Sequence, residues 1–278
     1  MRPVSSELDI VGGDPALAAW QSWSAWLATP PGRYLSGWSQ AQLDLAVADC
    51  FGFHALQLGM PDLEALRANR MPRRWLAVDH AWPGGASELF SLYCEFDALP
   101  FPKDSLDLVV LPHTLERAPD PHRCLREVER VLRPEGRLVI LGLNPASLWA
   151  LRQNLGLLRG RLSGAPAPLF MPRLPGEAEL IGYWRLRDWL RLLGMELETV
   201  RFGGYRPPLQ SDKWLQRWQG LERLGAHWWP VLGAVYLVVA VKRVHGMRLV
   251  GRLRQRRRQA QTAPAVAMQH HRDITQDS

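Results

Sequence analysis

The chain has 278 residues, 47% of them apolar, enough for a packed core in one large domain or one domain with an appendage. Its formal charge is +7, yet eight Lys or Arg and no acid fall between Lys242 and Arg258, which leaves the rest near neutral and excludes a basic binding face spread over the domain. The opening residues lack a basic-then-apolar signal pattern, and the longest apolar stretch, Trp228 to Val241, is shorter than the roughly 18 residues of a spanning helix, so the chain reads as a soluble cytoplasmic protein.

Near the N-terminus, Leu17, Trp20, Trp23 and Leu27 recur at helical spacing behind Asp14 as cap, with Pro30, Pro31 and Gly32 as the stop. A second helix is expected from Ser39 to about Cys50. Short apolar runs then alternate with helical stretches: strands near Phe53–Leu58, Trp75–Val78, Leu92–Phe96, Leu106–Leu111 and Arg137–Leu143, and a helix at His122–Leu132. LDLVVL and RLVILGL have the unbroken apolar character of strands buried on both faces of a parallel sheet. After Asn144 an Arg, Gly and Pro-rich stretch, Ala146 to Glu177, reads as a long loop or lid. An amphipathic helix ending at Gly194 and two late strands, MELETVRF and AVYLVVAVKR, with a helical insert between them, complete seven strands. Cys50, Cys94 and Cys124 lie far apart with no CxxC, which supports neither a disulfide framework nor a metal site and suggests buried thiols.

In open parallel sheets ligands bind beyond the carboxyl ends of the strands, where strand order reverses. HALQLGMPD is the loop after the first strand, and its Gly59 allows a sharp turn and close backbone approach. Asp79 ends the second strand twenty residues further on, the separation typical of an acid that binds ribose hydroxyls. Asp97 follows the third strand, and all three open onto one edge. His113, after the fourth strand, is the best general base by position and titration range, against the competing reading of a structural histidine. Tyr34 and Asn144 are weaker candidates for lining an acceptor pocket.

The stretch from Glu95 to Pro145, with D-A-L-P-F-P-K-D-S-L-D leading into the fourth strand and L-R-E-V-E-R-V-L-R-P-E-G-R-L supplying the next helix and strand, resembles the class I S-adenosylmethionine-dependent methyltransferases of the type 11 kind. The resemblance implies a Rossmann-like α/β fold with a seven-stranded, mostly parallel sheet, and S-adenosylmethionine as cofactor. It also implies that Gly59 contacts the methionine part, Asp79 the ribose, and Asp97 with Ala98 and Leu99 the adenine. Family members carry an acid two residues before a G-x-G-x-G loop; here Gln57 stands for the acid and Pro61 for the second glycine. A Gln still accepts a hydrogen bond, so Gln57 is retained as a cofactor contact.

These readings divide the chain into a methyltransferase-like domain, 1–243, and a basic tail, 244–278, expected to be poorly ordered. The domain comprises a helical cover (1–50), a cofactor-binding core (51–145) and a lid, insert and last two strands (146–243). The expected activity is methyl transfer to a small-molecule or unidentified acceptor. The alternative is a methyltransferase-fold binding or regulatory module. The segment Lys242 to Arg258 has three readings: a solvated tail, a contact for nucleic-acid phosphates, or an amphipathic helix on an anionic membrane.

Overall fold

Pro30, Pro31 and Gly32 open a helix instead of closing one. In the computed structural model, which describes residues 23–79, 90–154, 180–207, 211–218 and 220–243, helix α1 is Pro30–Ala48. Thr29 caps it, its hydroxyl accepting from the Gly32 amide at 3.3 Å, and the prolines occupy the first turn, where a backbone N–H has no helical partner anyway. Leu35, Ser39, Leu43 and Val47 form the buried stripe. The preceding residues, 23–27, are helical as expected; Asp14, Leu17 and Trp20 lie outside the described residues.

The strands are β1 (His54–Leu58), β2 (Arg73–Val78), β3 (Phe90–Tyr93), β4 (Leu106–Pro112), β5 (Leu132–Leu143), β6 (Met195–Gly203) and β7 (Val235–Lys242). They form one sheet in the order β3-β2-β1-β4-β5-β7-β6; β1 to β5 are mutually parallel, and β7 lies antiparallel to both β5 and β6. Helices α2 (Pro121–Val131), α3 (Tyr183–Leu192), α4 (Asp212–Arg217) and α5 (Gly220–Trp228) complete the described elements. Seven strands, mostly parallel, with helices on both faces give the Rossmann-like class expected from the sequence.

Two strands differ most from expectation. β3 starts at Phe90 and ends at Tyr93, because its partner β2 runs out at Val78, and Phe96 turns into the core. β5 starts five residues early: Leu132 pairs with Leu106, and the chain then passes through Glu135 (φ 64°) before rejoining β4 at Arg137 opposite Leu108.

Alternate strand residues separate two cores. Leu108, Val110, Val139, Leu141, Leu237 and Val239 face Trp23, Leu35, Leu43 and Val47 on the α1 side. Val109, Leu111, Leu138, Ile140 and Val238 pack with Leu125 and Val128 of α2 and Leu186 and Leu190 of α3 on the other. This double burial is why β4, β5 and β7 read as continuous apolar runs. Cys50 and Cys124 are buried free thiols as expected, whereas Cys94 is only half-buried. Among the described residues, no helix is long and apolar enough to cross a membrane.

The described residues fall within a single unit, Met1–Val244. Lys242, counted above with the basic segment, belongs to the sheet: its Nζ is buried and donates to Asp104 Oδ1 at 2.8 Å and to the carbonyls of Glu129 and Leu132 at 2.7 and 2.8 Å. Arg243 pairs with Glu135 and Glu196. These two cations are thus structural, and the remainder of the segment lies outside the described residues.

Asp107 fastens the start of β1, accepting from the amides of Phe53 and His54 at 2.8 and 2.9 Å while Arg133 donates to its other oxygen at 2.9 Å. Burial pushes its carboxyl up, but these partners together outweigh burial and hold it below the usual range; Glu127 is held low chiefly by Arg130. A depressed carboxyl stabilises the fold above its unfolded pKa of about 4 and loses that contribution as pH falls through the lower folded value. The thermal midpoint is therefore expected to be flat from neutrality to about pH 5 and to drop below about pH 4. In Asp107→Asn the acid-side drop should shrink and the neutral-pH midpoint should fall; an unchanged profile would remove Asp107 from this role.

Candidate active site at the carboxyl edge of the sheet

Strands β1 to β5 all end at one edge, and the order reverses between β1 and β4. At the end of β1, Gly59 (φ 69°) and Met60 (φ 50°) are consecutive left-handed residues, the Gly59 amide donating to the Ala77 carbonyl at 2.7 Å. Glycine takes this conformation without strain, and a Cβ there would stand 3.4 Å from the Phe96 ring. Met60 is wholly buried among the α1-side core residues.

Gln57 is placed differently from expectation. It is 1% exposed, and its amide nitrogen donates to the carbonyls of Gly59, Met60 and Leu63 at 3.1, 3.0 and 2.8 Å, while its oxygen accepts from the Ala65 amide at 3.0 Å. The side chain braces the loop from beneath. One lone pair on Oε1 is all that is left for any ligand.

Asp79 follows β2 and is half-buried; Asp97 and Ala98 follow β3 and are exposed. Leu99, expected beside the adenine, is instead 4% exposed and packed with the α2-side core, its amide accepted by Glu127 Oε1 at 2.9 Å and its carbonyl bonded to Arg130. It anchors the loop that presents Asp97 and Ala98.

Beyond β4 the run from His113 to Ala118 is buried throughout although four of its six residues are polar. His113 has φ 53°, rare for a residue with a side chain, and its ring centroid lies 5.2 Å from that of Trp23. Its Nδ1 is 3.6 Å from Glu116 Oε1, too long for a hydrogen bond, and has no other partner. Glu116 Oε1 accepts from the Leu143 amide at 2.6 Å, while Oε2 has no partner. The Thr114 hydroxyl donates to the Leu58 carbonyl, tying this run to the end of β1. Arg117 is 9% exposed and its Nε is unpartnered. Burial pulls its guanidinium below the ordinary arginine range, against the opposing charges of Asp79, Asp62 and Glu116.

The fold thus brings Gly59, Asp79, Asp97 and His113 to one edge as the sequence predicts. Sequence reasoning missed Glu116 and Arg117 beside His113; the available signal was a polar run, His113 to Arg117, directly following an apolar strand. The acceptor-side candidates are occupied within the protein. Asn144 is 2% exposed, its Nδ2 donating to the carbonyls of Val231 and Gly233, and it pins the end of β5 to the segment before β7. Tyr34 donates its phenol proton to Glu222, with the Arg206 guanidinium 4.6 Å from its ring centroid; burial first, then Glu222, hold the phenol well above its usual range. A cleft of about 180 Å³ lined by Cys50, Arg137, Glu198 and Arg201 lies at the opposite edge of the sheet, away from these residues.

Comparison with known proteins agrees with this geometry. A profile of the methyltransferase domain matches residues 80–140. The uncharacterized protein YafS of Escherichia coli strain K12 is 32% identical over 220 residues, 78% of this chain and 80% of YafS. The ubiquinone/menaquinone biosynthesis C-methyltransferase UbiE of Hahella chejuensis is 49% identical over 45 residues, 16% of this chain and 18% of that protein. Among solved structures, a chain of the complex between the Haloferax volcanii Trm112 methyltransferase activator and a methyltransferase superposes with a TM-score of 0.52 at 18% identity, covering 81% of this chain and 98% of that one. A SAM-dependent methyltransferase of Thermotoga maritima gives 0.51 at 15% identity, covering 81% and 96%. These two structures show the class I methyltransferase fold, residues 80–140 carry the methyltransferase-domain match, and the long alignment shows that the chain belongs to one family with YafS.

Proposed function

We propose that the protein transfers a methyl group from S-adenosylmethionine to a small-molecule acceptor at the carboxyl edge of β1 to β4. The observation that carries this reading is the group of buried polar atoms without partners on His113, Glu116 and Arg117, set beside the left-handed turn at Gly59. Buried polar groups in a folded protein are nearly always paired, so an unsatisfied group at the ligand-binding edge of such a sheet points to a ligand.

The residues suit the cofactor in kind. Gly59 lets backbone approach the amino-acid end, Asp79 accepts from ribose hydroxyls, and Asp97 with Ala98 borders the adenine above the floor anchored by Leu99. S-adenosylmethionine, when bound, supplies an activated methyl group, so positioning the acceptor and excluding water are the protein's main tasks. His113 takes the proton from an acceptor that carries one, its ring steadied against Trp23.

Calorimetric titration with S-adenosylmethionine and S-adenosylhomocysteine tests the reading. Micromolar binding is expected, with Asp97→Ala weakening it about tenfold, the loss of one charge-assisted hydrogen bond, at unchanged thermal stability. Absence of binding up to millimolar ligand would overturn it.

A further inference from the structure

Arg117 stands out among the groups at this edge. It lies in the turn after β4, where its amide and that of Ala118 both donate to the Thr114 carbonyl, at 3.1 and 2.9 Å. Its side chain is 9% exposed, yet its Nε has no hydrogen bond, and none of the described acids forms an ion pair with it. An arginine does not escape such a site by losing its proton, and a buried, unpaired charge is strongly unfavourable. The charges of Asp79, Asp62 and Glu116 act on Arg117, although none of the three forms an ion pair with it, and Asp62 also accepts from the Ser24 hydroxyl at 3.0 Å. Asp62 lies three residues past Gly59, and Asp79 follows β2.

Three negative charges around one positive charge reject a simple anion such as phosphate and favour a ligand bearing both signs. The planar guanidinium fork matches a carboxylate through two parallel hydrogen bonds, and the unpartnered Glu116 Oε2 matches an ammonium group. The α-amino and α-carboxylate groups of an amino acid have this form. Gln57, folded beneath the first loop, provides no charge for either of them.

We propose that Arg117 binds the α-carboxylate of the cofactor's methionine portion, so that the turn after β4 takes over a task the first loop does not perform. The inference rests on the proposed cofactor reading, and two ligands keep them apart. S-adenosylhomocysteine carries the amino-acid end; 5′-deoxy-5′-methylthioadenosine lacks it but keeps the nucleoside and the sulfur.

The experiment is calorimetric titration of wild type, Arg117→Gln and Arg117→Lys with both ligands, with thermal unfolding of each ligand-free protein. Arg117→Gln should lose about 30-fold or more in affinity for S-adenosylhomocysteine while binding methylthioadenosine within about twofold of wild type, and lysine should restore part of the loss. The ligand-free Arg117→Gln protein should unfold at the same temperature as wild type or higher, because an unpaired buried charge is removed. Equal affinity of wild type and Arg117→Gln for S-adenosylhomocysteine, or an equal loss for both ligands with a lower unfolding temperature, overturns the assignment and leaves the cofactor reading standing. Failure of wild type to bind either ligand overturns the cofactor reading itself.

Discussion

Glu at position 57, the acid that family members carry two residues before their glycine loop, is expected to destabilise this protein by about 3–5 kcal/mol, the magnitude of leaving one buried charge without a partner. The reason is the direction of the amide. Its nitrogen faces three carbonyl oxygens, of Gly59, Met60 and Leu63, and a carboxylate oxygen in that place meets three acceptors with no donor. Burial and the facing carbonyls then raise the new carboxyl's pKa, so between its unfolded and folded values the native state binds more protons. Gln57→Glu should accordingly be more stable at pH 5 than at pH 8, the reverse of the acid-side loss expected of wild type. Thermal unfolding at the two pH values decides it, and a variant matching wild type at pH 8 would show that the amide is not the brace described.

Gly59→Val is expected to reduce affinity for S-adenosylhomocysteine about 100-fold and to lower stability by about 1–3 kcal/mol, the usual cost of a strained left-handed backbone in a residue with a side chain. Alanine should give a smaller version of both effects, since its Cβ meets the Phe96 ring at 3.4 Å, an ordinary contact, and the strain at φ 69° remains. Valine adds a second branch to that strain and widens the turn. Titration beside thermal denaturation separates the two losses: unchanged affinity in a valine variant that folds would remove the loop from the cofactor site.

Much of the architecture is legible in the chain because burial on both faces writes itself as unbroken apolar runs, as in LDLVVL and RLVILGL. Pro30 and Pro31 mislead because a proline pair reads equally as a stop or as a first helical turn; the Thr29 cap decides, and its bond to Gly32 is visible only in the fold. Leu132 escapes because the R-P-E-G that follows reads as a turn, although its backbone is already paired with Leu106. The site shows the same division. Gly59, Asp79 and Asp97 follow from strand ends and spacing. The inward amide of Gln57 does not, since its partners at Leu63 and Ala65 lie in an irregular loop with no period to announce them. Arg117 is hidden for another reason: its significance is the lack of a partner, and only three-dimensional placement reveals a lack.

The position of β7 has a consequence for how the chain assembles. It is inserted between β5 and β6 and pairs with each along most of its length, while among the described residues β6 has no other strand beside it. During synthesis from the N-terminus, β1 to β5 can associate as soon as they emerge, but β6 must wait some thirty residues for the strand that will hold it. Until Val235–Lys242 arrives, β5 presents an unpaired edge that is apolar from Leu138 to Leu143, the kind of surface that recruits other chains. The last described strand is therefore the latch of the whole sheet, and a ribosome that stops short of it releases a chain with an open, adhesive flank.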